Sequence, residues 1–106
     1  MGGNQKQLIM ETMNRPQVKD MTVGTTHKVL EITGLNGMIM PPHHSTGEVV
    51  LMVKQGEVLI KMPDAEYKIG QGDVSIIPAK KEHTLTVLKE LKALVIMAVE
   101  SEIQFI

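Results

Sequence analysis

The sequence has no cysteine and no tryptophan, and Tyr67 and Phe105 are its only phenyl-ring side chains. Without cysteine the chain forms no disulfide bond, no thiolate metal site and no cysteine nucleophile. With so few aromatic side chains, a core has to be built from Val, Ile, Leu and Met. The nine methionines are scattered along the chain. Because Met is unbranched and flexible, we expect them to fill gaps in that core rather than to bind Cu(I).

The chain also lacks an excess of charge and a long apolar run. Its formal net charge is −1, with acidic and basic residues interspersed, which gives no electrostatic reason to expect nucleic acid or an anionic membrane as a partner. No apolar stretch approaches the roughly 20 residues of a membrane span. The first residues, GGNQKQ, have no apolar core of the kind found in signal peptides. We therefore expect a soluble, cytoplasmic protein.

A length of 106 residues is that of one domain. We divide it into an N-terminal arm, residues 1–25, and a folded domain, residues 26–106. In the arm, apolar residues between Asn4 and Asn14 predict one or two helical turns, which Arg15-Pro16 would end. Residues 21–26 are polar, and we interpret them as a loop.

From His27 onwards, short apolar segments alternate with turn residues. The predicted strands cover residues 27–33, 37–40, 48–54, 57–62, 67–69, 74–77, 83–88, 91–99 and 101–106. Pro41-Pro42 is expected to end one strand, and Gln55-Gly56 to turn the chain between two others. The nearly continuous apolar segment 91–99 is expected to be buried on both faces. About eight short strands with regular turns indicate an all-β sandwich or barrel.

The alternation within two of these strands predicts which side chains face inwards. Side chains point to opposite faces of a strand in turn. In residues 48–54 the odd positions are all apolar, so Val49 and Leu51 should point inwards and Glu48 outwards. In residues 83–88, His83 shares the apolar face with Leu85 and Val87. One histidine is thus predicted to face the interior.

Two sets of glycine, proline and histidine residues recur at defined intervals along the middle of the chain. The first set is Gly37, His43 and Gly56, and the second is Gly72, Pro78 and His83. These residues resemble the two motifs of the cupin family, and the likeness covers about half of the chain. The resemblance implies a cupin-type double-stranded β-helix, also called a jelly-roll barrel. The match is incomplete, because four motif positions are changed: Ser45 for His, Val49 for Glu, Lys80 for Gly and Val87 for Asn.

The resemblance also bears on metal binding and assembly. In the family, three histidines and one glutamate hold a divalent metal ion, and only the first and last of these positions are histidine here, as His43 and His83. The chain therefore resembles a divergent small cupin that lacks part of the metal-ligand set. Small cupins are often dimers, which implies a homodimer here. The apolar C-terminal segment and the N-terminal arm, which both need cover, favour the same assembly.

Three functional hypotheses follow. The first is a small-molecule pocket inside the barrel, metal-free or weakly metal-binding, lined by His43, Ser45, Val49, Leu51, His83 and Leu85. The second is a metal-dependent enzyme, an oxygenase or isomerase of a small organic acid or sugar, whose single divalent transition-metal ion would act as a Lewis acid or activate oxygen. The third is a non-catalytic dimerisation or regulatory module. No residue is assigned a catalytic role.

The second hypothesis makes a specific structural demand. The proposed metal ligands are His43, His44, Glu48 and His83. Because Glu48 lies on the opposite strand face from Val49, it could join them only through a one-residue slip or a bulge. Without that irregularity, Glu48 is an exposed surface carboxylate.

Overall fold

The structure, a computed structural model, describes residues 15–106. The helical turns predicted for residues 4–14 lie outside these residues. The described part contains no helix, and so none that could span a membrane. It consists of eight strands: β1 Gln17–Val23, β2 His27–Gly34, β3 Ile39–Ser45, β4 Val49–Met62, β5 Ala65–Gly70, β6 Val74–Ile77, β7 His83–Ala98 and β8 Ile103–Phe105.

Strands β4 and β7 are the centre of the sheet. They pair antiparallel along most of their length, from Val50 opposite Ile96 to Lys61 opposite Thr84. Strand β3 pairs with the first half of β7, and β2 pairs with its second half. In the same way, β6 pairs with the first half of β4, and β5 pairs with its second half. Strand β1 flanks β2, and β8 flanks β3. The all-β prediction is thus confirmed as one curled antiparallel sheet.

The sheet has two halves that share β4 and β7. One half, the β6 layer, has the order β1–β2–β7–β4–β6, and the other, the β5 layer, has the order β8–β3–β7–β4–β5. Buried side chains of both layers form a single core cluster. The two layers therefore face each other across that core, as the two sheets of a jelly roll do.

Gly56 lies where β4 bends from one layer to the other. The predicted turn at Gln55-Gly56 is wrong, because β4 continues through it with register shifts between Val53 and Val58. Gly56 has φ +92°, and a Cβ atom there would collide with the backbone carbonyl of Glu90 in β7. A glycine is needed here because the backbone of β7 approaches too closely for a Cβ atom. Strand β4 bends at this glycine and continues beyond it. Strand β7 likewise joins two predicted strands.

The double proline of β3 does not end that strand, contrary to the prediction. Strand β3 continues to Ser45, and both prolines fall in the register shift between Met40 and His43. Since no ladder pair with β7 is made in the shift, the missing N–H groups leave no partner unsatisfied. Residues 21–23, predicted as loop, are likewise strand, because they pair with β2 as the end of β1.

The burial of the central strands follows their alternation. Val49 and Leu51 are buried, as predicted, and Glu48 is exposed. The prediction that residues 91–99 are buried on both faces is wrong. Leu91, Ala93, Val95 and Met97 are buried, but Leu94 and Ile96 on the opposite face are only half-buried. The reason is that the sheet is antiparallel, so only one face of the β6 layer packs against the core and the other lies at the surface.

Replacing Gly56 by alanine should destabilise the fold strongly. The positive φ alone costs about 1–2 kcal/mol in a non-glycine residue, and the collision with Glu90 adds to it, for a total of about 3–5 kcal/mol. Gly37→Ala is the matched control, because Gly37 has φ +93° but no atom within 4 Å of a Cβ. Urea unfolding measures both variants. Equal losses of stability would contradict the close approach of β4 and β7.

Candidate functional site

His43 and His83 lie side by side in the interior of the β5 layer. They are direct partners in the register of β3 and β7, and their ring centroids are 4.1 Å apart with the planes inclined by 60°. Each residue is only 4% exposed. The structure therefore brings together the two histidines that the motif spacing singled out, on the buried face that His83 shares with Leu85 and Val87.

Both imidazole rings are held in the same way. His43 Nδ1 lies 2.7 Å from the carbonyl oxygen of Pro41, and His83 Nδ1 lies 2.8 Å from that of Lys81. Because a carbonyl oxygen can only accept, each Nδ1–H donates, and in the neutral ring Nε2 carries the lone pair. Each ring is fixed by the carbonyl two residues before it. The local backbone alone therefore sets the tautomer of both rings.

Burial keeps these rings neutral. Desolvation lowers the pKa of His43 to about 4, helped by His83 and His44, against the opposing effect of the hydrogen bond to Pro41. The pKa of His83 is lowered as well, mainly by burial. Both side chains are thus uncharged at pH 7, and each presents an Nε2 atom able to accept a hydrogen bond or bind a metal ion.

The two Nε2 atoms are not sealed inside the protein. The hydrogen bonds of the pair engage the two Nδ1 atoms. In residues 15–106 no buried side-chain nitrogen or oxygen atom lacks a partner. An Nε2 atom without a hydrogen bond is therefore not completely buried.

Phe105 covers the pair from the neighbouring strand β8. It is the register partner of His43, with ring centroids 5.6 Å apart, and it is 54% exposed. The guanidinium carbon of Arg15 lies 5.8 Å from the centroid of the phenyl ring. Phe105 was not among the residues predicted to form the site. The available signal was a large aromatic residue near the C-terminus of a chain almost without aromatics.

The other predicted pocket residues also face the interior. Val49, Leu51 and Leu85 belong to the core cluster, each 4% exposed or less. Ser45 is 4% exposed, and its carbonyl oxygen accepts the N–H of Lys80 at 2.7 Å. The six residues are all buried on the inner side of the sheet.

Two of the four predicted metal ligands lie apart from the pair. His44 is half-buried on the other face of β3, with Nε2 at 3.1 Å from Gln104 Oε1. Glu48 is exposed, and the register of β4 with β6 is regular from Val49 to Met52. The slip that would turn Glu48 inwards is therefore not seen.

The donor set can be compared with what a divalent metal ion requires. Within the described range 15–106, no three residues of the types His, Cys, Asp and Glu are grouped to hold a metal ion. Protein sites for transition metals usually supply three or four ligands. Two imidazoles fall short of that number, and the neutral hydroxyl of Ser45 is a weak ligand, so the residues do not fit a tight metal site.

The loop between β6 and β7 positions His83. Its Lys80 has φ +62° and occupies the place of a glycine in the family motif. The loop is attached to β3 by the hydrogen bond from Lys80 N to Ser45 O and to the β4–β5 turn by an ion pair of 2.9 Å between Lys81 and Asp64. These contacts fix the Lys81 carbonyl that orients the His83 ring.

A separate cleft of about 350 Å³ lies beside the connection between β2 and β3 and the start of β1. It is lined by Arg15, Gln17, Thr33, Gly34, Leu35, Met38, Gln55, Glu90, Leu91 and Lys92. None of the six predicted pocket residues is among them. The cleft and the histidine pair are therefore two different places, and only the pair offers buried neutral imidazoles.

Comparisons with known proteins identify the fold. No protein-family model matches the chain, and no curated protein matches it by sequence. A cupin superfamily protein of Desulfitobacterium hafniense has 20% identity over 82% of this chain and 80% of its own, with a TM-score of 0.72. A cupin-2 domain protein of Shewanella frigidimarina has 19% identity over 90% of each chain, with a TM-score of 0.67.

A third solved structure is that of an enzyme. The DMSP lyase DddQ of Ruegeria pomeroyi has 17% identity, with a TM-score of 0.78, over 88% of this chain and 52% of its own. At these identities the likeness establishes the fold alone. The chain has the cupin fold, a double-stranded β-helix, as its motif residues implied.

Acid should destabilise the protein between pH 6.5 and about 4. In this range a histidine of the unfolded chain, with a pKa near 6.5, is protonated, whereas His43 in the folded protein is not. The contribution of His43 to the free energy of unfolding is therefore complete above pH 6.5 and is lost as the pH falls. The loss for His43 is on the order of 2 kcal/mol at pH 4.5. Urea unfolding across this range measures it. His43→Leu should flatten the pH dependence, whereas His44→Gln, which removes only a minor cause of the lowered His43 pKa, should change it little. The same slope in both variants would contradict the assignment.

Lys80→Gly should stabilise the protein. A non-glycine residue at positive φ costs about 1 kcal/mol, part of which glycine returns through its greater freedom in the unfolded chain. We expect Lys80→Gly to exceed Lys80→Ala by about 0.5–1 kcal/mol in the free energy of unfolding. Lys80→Ala is the control, since it removes the side chain but keeps the strain. A Lys80→Gly variant no more stable than Lys80→Ala would contradict the backbone conformation of this loop.

Proposed function

We propose that this protein binds a small polar molecule at the His43–His83 pair, without a metal ion or with only weak metal binding. The observation that supports this is the matched arrangement of the two rings: each donates Nδ1–H to a backbone carbonyl and presents Nε2 as an acceptor. Two oriented acceptors within an apolar interior are the kind of polar group that fixes a ligand in a pocket.

The protonation state narrows the class of ligand. Because burial keeps both imidazoles uncharged, the pair offers no positive charge to a carboxylate or phosphate group. It offers hydrogen-bond acceptors instead, so a ligand with hydroxyl or amide N–H donors is favoured. Burying an anion there without a counter-charge would be costly. A neutral alcohol, diol or amide is the ligand class that the site favours.

Phe105 is the proposed gate to this site. Its ring contacts His43 and is half-exposed, and it belongs to β8, a strand of three residues at the edge of the sheet. A side chain on so short an edge strand can move without disturbing the core. Displacement of the ring would open the space beside the two Nε2 atoms to a small molecule.

A metal-dependent enzyme is the second candidate. It is supported by the Nδ1–H hydrogen bonds, because histidines that bind a metal ion are usually oriented by such bonds to carbonyl or carboxylate groups, and by the DMSP lyase, an enzyme with the same fold. When bound, a divalent ion would supply Lewis-acid chemistry. The shortage of ligands places this candidate second, and we expect divalent ions to bind weakly.

The proposal is tested with a set of small alcohols, diols and amides and a matched set of carboxylates of the same size. Saturation-transfer NMR at pH 7 should show binding from the neutral donor set, and His43→Ala and His83→Ala should each abolish it. His44→Ala should leave it unchanged, because His44 faces the other side of β3. Binding of the carboxylates alone, or equal effects of the three variants, would contradict the proposal.

Calorimetric titration of the same proteins with Zn²⁺ and Ni²⁺ decides between the two candidates. We expect weak binding that is lost in His83→Ala. Tight, stoichiometric binding by the unmodified protein would instead favour the metal-dependent enzyme.

A further inference from the structure

The cleft beside the connection between β2 and β3 lies at a gap in the sheet. Strand β2 pairs with β7 as far as Gly34 opposite Leu91. Strand β3 joins β7 at Val87, whose N–H donates to the carbonyl oxygen of Met38 at 2.9 Å. Between these points, residues 88–90 of β7 have no register partner in β2 or β3. Gly34, Met38 and Leu91 all line the cleft, so the cleft borders this gap in the strand pairing.

Polar side chains from four strands form one part of the lining. Gln17, Thr33, Lys92 and Gln55 are successive register partners across β1, β2, β7 and β4. Glu90 lies two residues before Lys92 on β7, and side chains two positions apart on a strand point to the same side. All five residues line the cleft. A carboxylate and an ammonium group are thus neighbours within a polar row.

The rest of the lining is largely apolar. Leu35 is 56% exposed, Met38 is half-buried and Leu91 is buried. The N–H of Leu35 donates to Met38 Sδ at 3.2 Å, which holds the two side chains of the connection next to each other. The cleft therefore offers an apolar surface beside two opposite charges, and a ligand that uses both needs an apolar part and a charged part.

The two charges are available to a ligand. Among residues 15–106, neither the Glu90 carboxylate nor the Lys92 ammonium group takes part in an ion pair or a side-chain hydrogen bond. Both residues are exposed, so water hydrates them, and a ligand with matching groups can replace that water. Arg15, the third charged residue of the lining, is engaged with the ring of Phe105.

We propose that this cleft binds a small zwitterionic molecule with an apolar side chain, of which an apolar amino acid is the simplest example. Glu90 contacts its ammonium group, Lys92 its carboxylate, and Leu35 and Met38 its side chain. The Cα atoms of Glu90 and Lys92 are about 7 Å apart along the strand, and their flexible side chains reach both charges of one such ligand. The volume of about 350 Å³ is at the lower end for ligand pockets and suits a molecule of this size.

Other classes of ligand fit the lining less well. A simple anion would meet the like charge of Glu90, and a simple cation would meet that of Lys92. A neutral apolar molecule would remove water from both charges and give neither a partner. Because most of the lining is exposed, we expect weak binding, with a dissociation constant on the order of 1 mM. The cleft shares no residue with the predicted pocket around His43 and His83, so this inference does not depend on the proposed function.

Three probes with the same branched side chain test the ligand class: leucine, isocaproate, which lacks the ammonium group, and isoamylamine, which lacks the carboxylate. The full chain, including residues 1–14, is titrated at pH 7 and followed by ¹H–¹⁵N NMR. Leucine should shift the amide signals of residues 33–38 and 90–92, and it should bind about threefold to fivefold more tightly than either analogue. No shift at these residues, or an analogue that binds as tightly as leucine, would overturn the proposal.

Neutralising the two charges tests the assigned contacts. Glu90→Gln should weaken leucine about threefold to fivefold without weakening isocaproate, which has no ammonium group. Lys92→Gln should weaken both leucine and isocaproate. Lys89→Gln is the matched control, because Lys89 is exposed on the same strand but does not line the cleft.

Two outcomes of these titrations would overturn the assignment. One is an equal loss of leucine binding in Lys89→Gln and Lys92→Gln, which would indicate a general effect of net charge. The other is a Glu90→Gln variant in which isocaproate weakens as much as leucine. Circular dichroism of each variant confirms that lost binding is not a lost fold.

Discussion

The pairing of β4 with β7 across the bend at Gly56 is the constraint on which the rest of the structure depends. Each strand is long enough to serve both layers of the barrel, so a single antiparallel ladder determines how the layers face each other. The bend requires the two backbones to approach where only a glycine fits. The first part of β7 then carries His83 to β3 and His43, and its second part carries Leu94 and Ile96 to the outside. The position of the histidine pair is thus a consequence of how this one pair of strands bends.

The chemistry of the histidine pair follows from its place in that ladder. Register partners on the inner face of a sheet are in contact with each other and shielded from water. Two imidazoles in such a place remain neutral because protonating either would bury a positive charge. Backbone carbonyls of Pro41 and Lys81 select the tautomer. With Val49 in place of the glutamate of the cupin motif, no carboxylate of residues 15–106 is grouped with the pair to favour a bound cation. The same fold that elsewhere supports an enzyme here presents two uncharged acceptors.

Much of this could be predicted from the sequence because local patterns determined it. Alternation placed Val49 and His83 inside, and the spacing of glycine, proline and histidine indicated the fold. Two of the errors have one physical cause: glycine and proline were interpreted as breaks in the chain, whereas Gly56 and Pro41-Pro42 are accommodated by bulges that only tertiary pairing reveals. The cover by Phe105 was missed for the same reason, since it depends on pairing between β3 and β8, which are far apart in sequence.

The central claim is that His43 and His83 are neutral at pH 7, with the proton on Nδ1 and the lone pair on Nε2. Long-range ¹H–¹⁵N NMR of the imidazole rings tests it directly, because the nitrogen shifts distinguish both tautomers and the charged form. The account predicts the Nδ1–H tautomer in both rings at pH 7, with His43 still uncharged at pH 5.5. An Nε2–H tautomer in either ring, or a charged His43 at that pH, would contradict it.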